Sequence, residues 1–259
     1  LTTAAAGCNQ NIAIGTNALK TENSGADYCI AIGVNALTLQ DANVKNTVIG
    51  GLAGAELVGG NYNTLVGYNA GNQLDANESG NTFVGHNAGS NADGAEYCTF
   101  IGTEAGGLGV ATGSDNVAIG YAAGYDLTNG PGNVLIGREA GANMTTGDYN
   151  VAIGYQAADV MTGNANYNIA IGYAALGGCT AATSENIAIG TEALQHASYA
   201  AANVNLAIGK SAGTAITSGT ENVLIGHQAG SAIVDDDYNT ALGYNALAAS
   251  TAGNAHTAI

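Results

Sequence analysis

A nine-residue phrase, Asn116-Val-Ala-Ile-Gly-Tyr-Ala-Ala-Gly124, recurs from one end of the chain to the other, and this recurrence restricts the available folds more than any other feature. Asn11-Ile-Ala-Ile-Gly-Thr-Asn-Ala-Leu19 is an early copy, and Asn222-Val-Leu-Ile-Gly-His-Gln-Ala-Gly230 is a late one. The central glycine stands at 15, 33, 50, 67, 85, 102, 120, 137, 154, 172, 190, 209, 226 and 243, so successive copies lie 17 to 19 residues apart. Fourteen copies at so short a period describe a stack of repeats, each burying its apolar face against its neighbours. We expect a single repeat array over residues 1–259 without an internal domain boundary. The chain opens on Leu1 and stops at Ile259, just before a fifteenth glycine would fall, which reads as a section of a longer polypeptide.

The residues before the glycine carry a strand signature. The position just before it is always Ile, Val or Leu, and the position three before it is Ile, Val, Leu or Thr. Alternation places these two on one face of a strand. The residue between them points the other way and is also apolar: Ala13, Ala31, Val48, Leu65, Phe83, Phe100, Ala118, Leu135, Ala152, Ala170, Ala188, Ala207, Leu224 and Ala241. A strand that is apolar on both faces is covered on both. One face then lines the coil, and the other packs against a second body. The small side chains of the intermediate column make it the expected interface.

After the glycine come a variable residue, often Tyr, then a polar one, then Ala in all fourteen copies. The next position is Gly in eight copies and Leu in five, and a glycine there predicts a corner with positive φ. The remainder of each period is rich in Asn, Asp, Gly, Ser and Thr, and it predicts a short outer strand between turns. A three-faced hexapeptide β-helix would also suit a period near 18. Only one third of each period carries the aliphatic-Gly signal, however, so a two-layer parallel roll fits better. The expected fold is an all-β parallel solenoid of about 14 rungs, each about 4.8 Å high.

Three further columns are visible. Asn opens the motif in twelve of fourteen copies, predicting a stacked amide ladder that Cys29 and Cys98 interrupt. Eleven of thirteen tyrosines fall either just before this Asn (Tyr28, Tyr62, Tyr97, Tyr149, Tyr167, Tyr238) or just after the glycine (Tyr68, Tyr121, Tyr155, Tyr173, Tyr244). Stacked Tyr is first structural, and exposed Tyr columns also bind glycans or proteins. Cys29 and Cys98 lie four rungs apart, roughly 19 Å at the strand spacing, too far for a disulfide within the chain. Together with Cys8 and Cys179 they read as buried thiols, with pairing between chains as the alternative.

The search for reactive chemistry is short. His86 and His227 share a column but lie eight rungs apart, while His196 and His256 fall elsewhere, with no metal-binding spacing. Glu104, Glu139 and Glu192 occupy one column in non-adjacent rungs, so no carboxylate pair is set up for acid–base work. Gly107-Leu-Gly-Val-Ala-Thr112 misses the dinucleotide fingerprint at its last place. Asp235-Asp-Asp237 reads as a solvated loop, with a calcium site as the alternative. Asn77-Glu-Ser and Asn143-Met-Thr are sequons of little weight in a chain so rich in Asn. We expect no enzyme, no cofactor and no metal. With 4 Lys and Arg against 20 Asp and Glu, for a formal charge of −16, the chain would repel nucleic acid and anionic lipid. No apolar run reaches the roughly 18 residues of a membrane span, so no direct membrane insertion is expected.

Asn-x-Ala-Ile-Gly-x-x-Ala resembles the head repeat of YadA-like trimeric autotransporter adhesins. It resembles equally the Asn-Thr-Ala-Ile-Gly-Tyr-x-Ala-Leu repeats of phage tail fibres and secreted bacterial surface proteins, to which Asn239-Thr-Ala-Leu-Gly-Tyr-Asn-Ala-Leu247 comes close. The resemblance covers essentially the whole chain. It implies a left-handed parallel β-roll assembled as a homotrimer with the aliphatic-Gly strands toward the axis. The period here is longer than the usual YadA-like one, and no anchor, stalk or chaperone segment is present. The resemblance further implies an extracellular segment, on a virion fibre or a bacterial cell surface, that acts as a rigid spacer and a multivalent display facing a host glycan or protein receptor. A self-assembling extracellular filament is the alternative. A polysaccharide-active enzyme and an ice-binding plane fit less well, lacking a carboxylate cluster and a flat Thr array respectively.

Overall fold

The computed structural model describes residues 10–21, 27–40, 45–75, 78–107, 109, 113–179, 183–196, 203–249 and 253–259. It divides into two compact units, Leu1–Pro131 and Gly132–Ile259. Both are parallel β-solenoids, and no helix occurs among the described residues. The first unit holds β1 (Ile12–Ile14), β2 (Ile30–Ile32), β3 (Thr47–Ile49), β4 (Thr64–Val66), β5 (Thr82–Val84), β6 (Thr99–Ile101) and β7 (Val117–Ile119). The second holds β8 (Val134–Ile136), β9 (Val151–Ile153), β10 (Ile169–Ile171), β11 (Ile187–Ile189), β12 (Leu206–Ile208), β13 (Val223–Ile225), β14 (Thr240–Leu242) and β15 (Thr257–Ala258).

Within each unit every strand pairs in parallel with the next in sequence, and motif position faces motif position. Thr82, Phe83 and Val84 face Thr99, Phe100 and Ile101; Ile169, Ala170 and Ile171 face Ile187, Ala188 and Ile189. A column in the sequence is therefore a column in space.

The rung turns by left-handed backbone steps at four fixed places. In one rung these are Tyr167 (φ 58°), Gly172 (φ 134°), Ala174 (φ 49°) and Leu176 (φ 50°). Such angles cost roughly 1–2 kcal/mol for a residue with a Cβ. The stack compensates by giving each of these N–H groups a carbonyl on an adjacent rung: Asp148 (3.0 Å), Ile153 (2.8 Å), Tyr155 (3.0 Å) and Ala193 (3.0 Å), respectively. The central glycine has no substitute, because a Cβ on Gly172 would stand 2.6 Å from the carbonyl oxygen of Gly190. The corner expected after the invariant Ala is present, and Leu or Ala adopts it where Gly is missing.

The expected outer strand is not formed. Among the described residues the only strand of each rung is the three-residue aliphatic one. The polar half is joined to its neighbours by isolated backbone bonds, such as Asn143 N–H to Asp159 O at 2.8 Å and Gly178 N–H to Gln195 O at 2.8 Å. Its varying length and its Gly, Asn and Asp content prevent a continuous ladder.

The core has four contributing columns. Two are the Ala column after the glycine and the residue following it, where Leu19, Leu37, Leu176 and Leu194 are buried. A third, seven residues after the glycine, comes from the polar half: Leu57, Leu74, Leu127, Met144, Met161, Cys179, Ile216 and Ile233, all buried. Gln40 occupies the same place and is satisfied there, donating to Val58 O (2.8 Å) and accepting from Asn46 Nδ2 (2.9 Å). The fourth is the column two before the glycine.

Candidate interaction surface

That fourth column reverses the expected assignment of faces. Ala31, Val48, Leu65, Phe83, Phe100, Ala118, Leu135, Ala152, Ala170, Ala188, Ala207, Leu224 and Ala241 are each 0% exposed within a single chain, and Ala13 is half-buried. These residues line the coil and cannot form a surface for a second body. The physical reason is volume exchange with the corner position. Where this column is large, the corner is Gly, and a Cβ on Gly89 or Gly106 would stand 2.5 Å from the Phe83 or Phe100 ring. Where the corner is Leu, as at Leu37 or Leu194, the column holds Ala31 or Ala188.

The exposed face of each strand is instead the pair flanking that column. Ile12, Ile14, Ile49, Ile101, Val223 and Leu242 are between 37% and 58% exposed, and most of their counterparts are half-buried by one another. Alternation alone does not distinguish the two faces, since both are apolar. This one is a regular aliphatic and Thr surface, partly exposed among the described residues.

Tyrosines edge it on both sides. Tyr28, Tyr62, Tyr97, Tyr149, Tyr167 and Tyr238 stand just before the Asn column, and all are more than half exposed. Tyr149 and Tyr167 stack at 5.5 Å between ring centroids. Across the strand, Tyr68 stacks on His86 at 5.7 Å, Tyr155 lies against Tyr173 at 5.7 Å, and His227 meets Tyr244 edge-on at 5.4 Å. The two histidine candidates thus serve as members of an aromatic edge.

Charge is distributed unevenly around the rung. The two exposed strand columns and the column after the glycine contain no Asp or Glu, although the chain has 20. Arg138 and Lys210 lie in the latter column; the other Tyr column holds Lys45, whose Nζ sits 5.1 Å from the Tyr62 ring centroid, together with Asp115, Glu185 and Glu221. The strand columns themselves are uncharged, and the two flanking columns together hold three basic and three acidic residues, on a strongly acidic chain.

Behind this face runs the Asn column, buried as a polar spine. Asn168 Oδ1 accepts from Asn186 N–H (3.0 Å), Asn186 Oδ1 from Asn205 N–H (3.0 Å), and Asn205 Oδ1 from Asn222 N–H (3.1 Å). The Nδ2 groups reach the polar half, as Asn168 does to Thr183 O at 2.8 Å. Cys98 continues the pattern with sulfur: its Sγ accepts from Asn116 N–H at 3.4 Å. Burial pushes the Cys98 thiol up to about 11 and that of Cys179 to about 12. Cys29, Cys98 and Cys179 form no disulfide, and Cys8 lies outside the described residues.

The remaining candidates are not brought together. Glu139 accepts from Arg138 Nε (3.0 Å) and Gln156 Nε2 (3.0 Å), and Glu192 accepts from Ser211 Oγ (3.4 Å). His196 Nδ1 lies 2.9 Å from Thr214 O, and the His256 N–H donates to Asn239 Oδ1. A cleft of about 170 Å³ beside Asp159, Tyr173 and His196 is below the roughly 300–1,000 Å³ of small-molecule sites. The Asp235–Asp237 run is only partly solvated. Asp235 is exposed, but Asp236 is buried and accepts from Gly253 N–H (2.7 Å), while Asp237 accepts from Thr220 N–H (2.7 Å). Asn77 of the first sequon and part of Gly107–Thr112 lie outside the described residues. No family model, curated protein or solved structure matches the chain.

Proposed function

We propose that this chain is a non-enzymatic segment of an extracellular homotrimeric fibre, a stiff spacer that presents its outer surface in three copies. The observation that carries the reading is the exposed aliphatic face of the parallel strands. Parallel sheets are ordinarily covered on both faces, and a continuous exposed apolar surface marks an association site. A partner that meets every rung must itself repeat with the rung spacing of about 4.8 Å, or it would fall out of register within a few rungs. A second copy of this chain has that period. Copies would meet on strand columns that carry no carboxylate, with Asp115, Glu185 and Glu221 only at their edge, leaving the acidic loops apart in solvent, where like charges are screened. Closed cyclic symmetry is the usual way identical surfaces saturate one another.

The polar half of each rung then faces outward, and threefold repetition along the fibre supplies avidity toward a host-surface glycan or protein. The resemblance of the repeat to YadA-like heads and phage tail fibres supports the same reading. Sedimentation equilibrium of the chain tests it: three times the chain mass is expected at micromolar concentration. The double variant Ile153→Lys, Ile171→Lys, which charges the face without touching the core, should fall to one chain mass while keeping its β-sheet circular dichroism. A monomeric wild-type chain would end the trimer reading.

A further inference from the structure

Asp75, Glu78 and Asp93 are separated in sequence but stacked in space, in the loops that follow β4 and β5. Their carboxylate oxygens lie within 4.8 Å of one another. Glu78 is only 6% exposed, and its Oε2 is buried without a hydrogen-bond partner. Burying an ionised oxygen without a partner costs free energy that folded chains ordinarily avoid. Asp75 and Asp93 are exposed at the mouth of the same cluster. Among the described residues the ion pair is Arg138 with Glu139, so no side-chain cation neutralises the three carboxylates.

The three groups are held in place by the frame rather than by each other. Glu78 O accepts from Asn63 Nδ2 (2.8 Å), which ties this residue to the buried Asn spine. Asp75 O accepts from Val58 N–H (2.9 Å) and follows buried Leu74. Asp93 lies between buried Ala92 and Ala95.

We propose that Asp75, Glu78 and Asp93 form a calcium site that clips two consecutive rungs of the first unit together. Three carboxylates without nitrogen or sulfur form a hard donor set. All three separations fall within the span of a Ca²⁺ coordination sphere, about 4.8 Å or twice a Ca–O bond of about 2.4 Å, and Ca²⁺ accepts the irregular oxygen geometry of loop carboxylates that the strict octahedron of Mg²⁺ does not. The open side toward Asp75 and Asp93 leaves room for the water ligands that would complete six to eight coordination. The bound ion would give Glu78 Oε2 its missing partner and remove the mutual repulsion of the three charges.

Calorimetric titration of CaCl₂ into the chelator-treated chain, at about 0.15 M salt, tests the site. One saturable site is expected, with Kd on the order of 10⁻⁴–10⁻³ M, together with a rise in Tm that MgCl₂ does not reproduce. Asp75→Asn and Asp93→Asn, both at exposed positions, should each weaken binding at least about tenfold. Glu78→Gln should abolish binding and, by removing the unpartnered charge, raise Tm in the absence of calcium. Asp235→Asn should leave Kd unchanged. No saturable calcium binding up to about 10 mM, or binding that survives Asp75→Asn and Asp93→Asn at wild-type affinity, would overturn the proposal.

Discussion

A Cβ placed on Gly89 would lie 2.5 Å from the ring of Phe83, six residues earlier in the same rung. The same reciprocity governs every large residue of that inner column. Val48, Leu65, Phe83, Phe100, Leu135 and Leu224 are each followed six residues later by Gly, whereas every corner Leu follows Ala. In these rungs one interior volume is filled from either side, whereas Ala118 with Gly124, Ala152 with Ala158 and Ala207 with Gly213 are small at both places. Phe83 and Phe100, on adjacent rungs, stack at 4.7 Å and 7°, an arrangement that in-register parallel pairing imposes.

Volume exchange predicts a strong coupling at Leu135 and Gly141, where a Cβ on the glycine would lie 2.9 Å from Leu135 Cδ2. Leu135→Ala should cost about 2–5 kcal/mol through the cavity it leaves. Gly141→Leu should cost about 2–4 kcal/mol from overpacking and left-handed strain. The double variant recreates the Ala31–Leu37 pairing and should be more stable than the sum of the two by about 2–3 kcal/mol. Urea denaturation of the four proteins measures this. Costs that simply add would refute the exchange.

Gly50 and Gly51 are adjacent but should respond oppositely to Ala. Gly50 has φ 145°, and its added Cβ would overlap the carbonyl oxygen of Gly67. Gly50→Ala should therefore lose more than about 4 kcal/mol or fail to fold. Gly51 meets nothing nearer than Tyr68 Cδ2 at 3.4 Å and has no positive φ. Gly51→Ala should stay within about 1 kcal/mol of wild type. Thermal unfolding of the two variants side by side decides the point.

The rung was legible in the sequence because its key residues recur at fixed offsets: the glycine and the Ala after it without exception, and the Asn before it in all copies but those of Cys29 and Cys98. The facing of the strand was not legible, since Ala152 and its flanks Val151 and Ile153 are all apolar and period-two alternation has no sign. The sign lay in a correlation between columns, Phe83 with Gly89 against Ala31 with Leu37. The inner column from the polar half escaped notice because Leu57, Met144, Cys179, Ile216 and Gln40 share an offset but no residue type. Asp75, Glu78 and Asp93 spread over two periods, so only the stacking of the rungs reveals them as a group.

The Asn spine predicts that Asn168 tolerates a hydrogen-bonding substitute better than an apolar isostere. Its Oδ1 accepts from Asn186 N–H, and its Nδ2 reaches Asn150 Oδ1 (3.0 Å) and Thr183 O (2.8 Å). Asn168→Leu leaves these buried groups without partners and should cost about 3–5 kcal/mol, at about 1–3 kcal/mol per orphaned group. Asn168→Cys should cost distinctly less, since Cys98 already maintains the spine with sulfur. Equal losses in guanidinium unfolding would mean that packing, not hydrogen bonding, sets the preference for Asn.

The buried thiols give the chain an alkaline limit. Burial raises the Cys179 pKa from 9.0 to about 12 and that of Cys98 from 9.0 to about 11. Below the unfolded value both states keep the thiol proton, and these groups add no pH dependence. Between 9.0 and about 12 the unfolded chain releases the Cys179 proton while the folded chain retains it. The unfolded state then binds fewer protons, so stability falls as pH rises through that window. Cys179→Ala lowers stability at neutral pH by its cavity but removes this slope. The stability gap between wild type and Cys179→Ala should therefore narrow steadily above the unfolded thiol pKa, as read from denaturant midpoints at a series of pH values. In a Cys8→Ser background, a chromogenic disulfide reagent at neutral pH should find no reactive thiol until denaturant is added, since Cys29, Cys98 and Cys179 are all 0% exposed. Rapid reaction of the folded chain would place at least one of these three thiols in contact with solvent, and a gap that stays constant with pH would place the Cys179 thiol there.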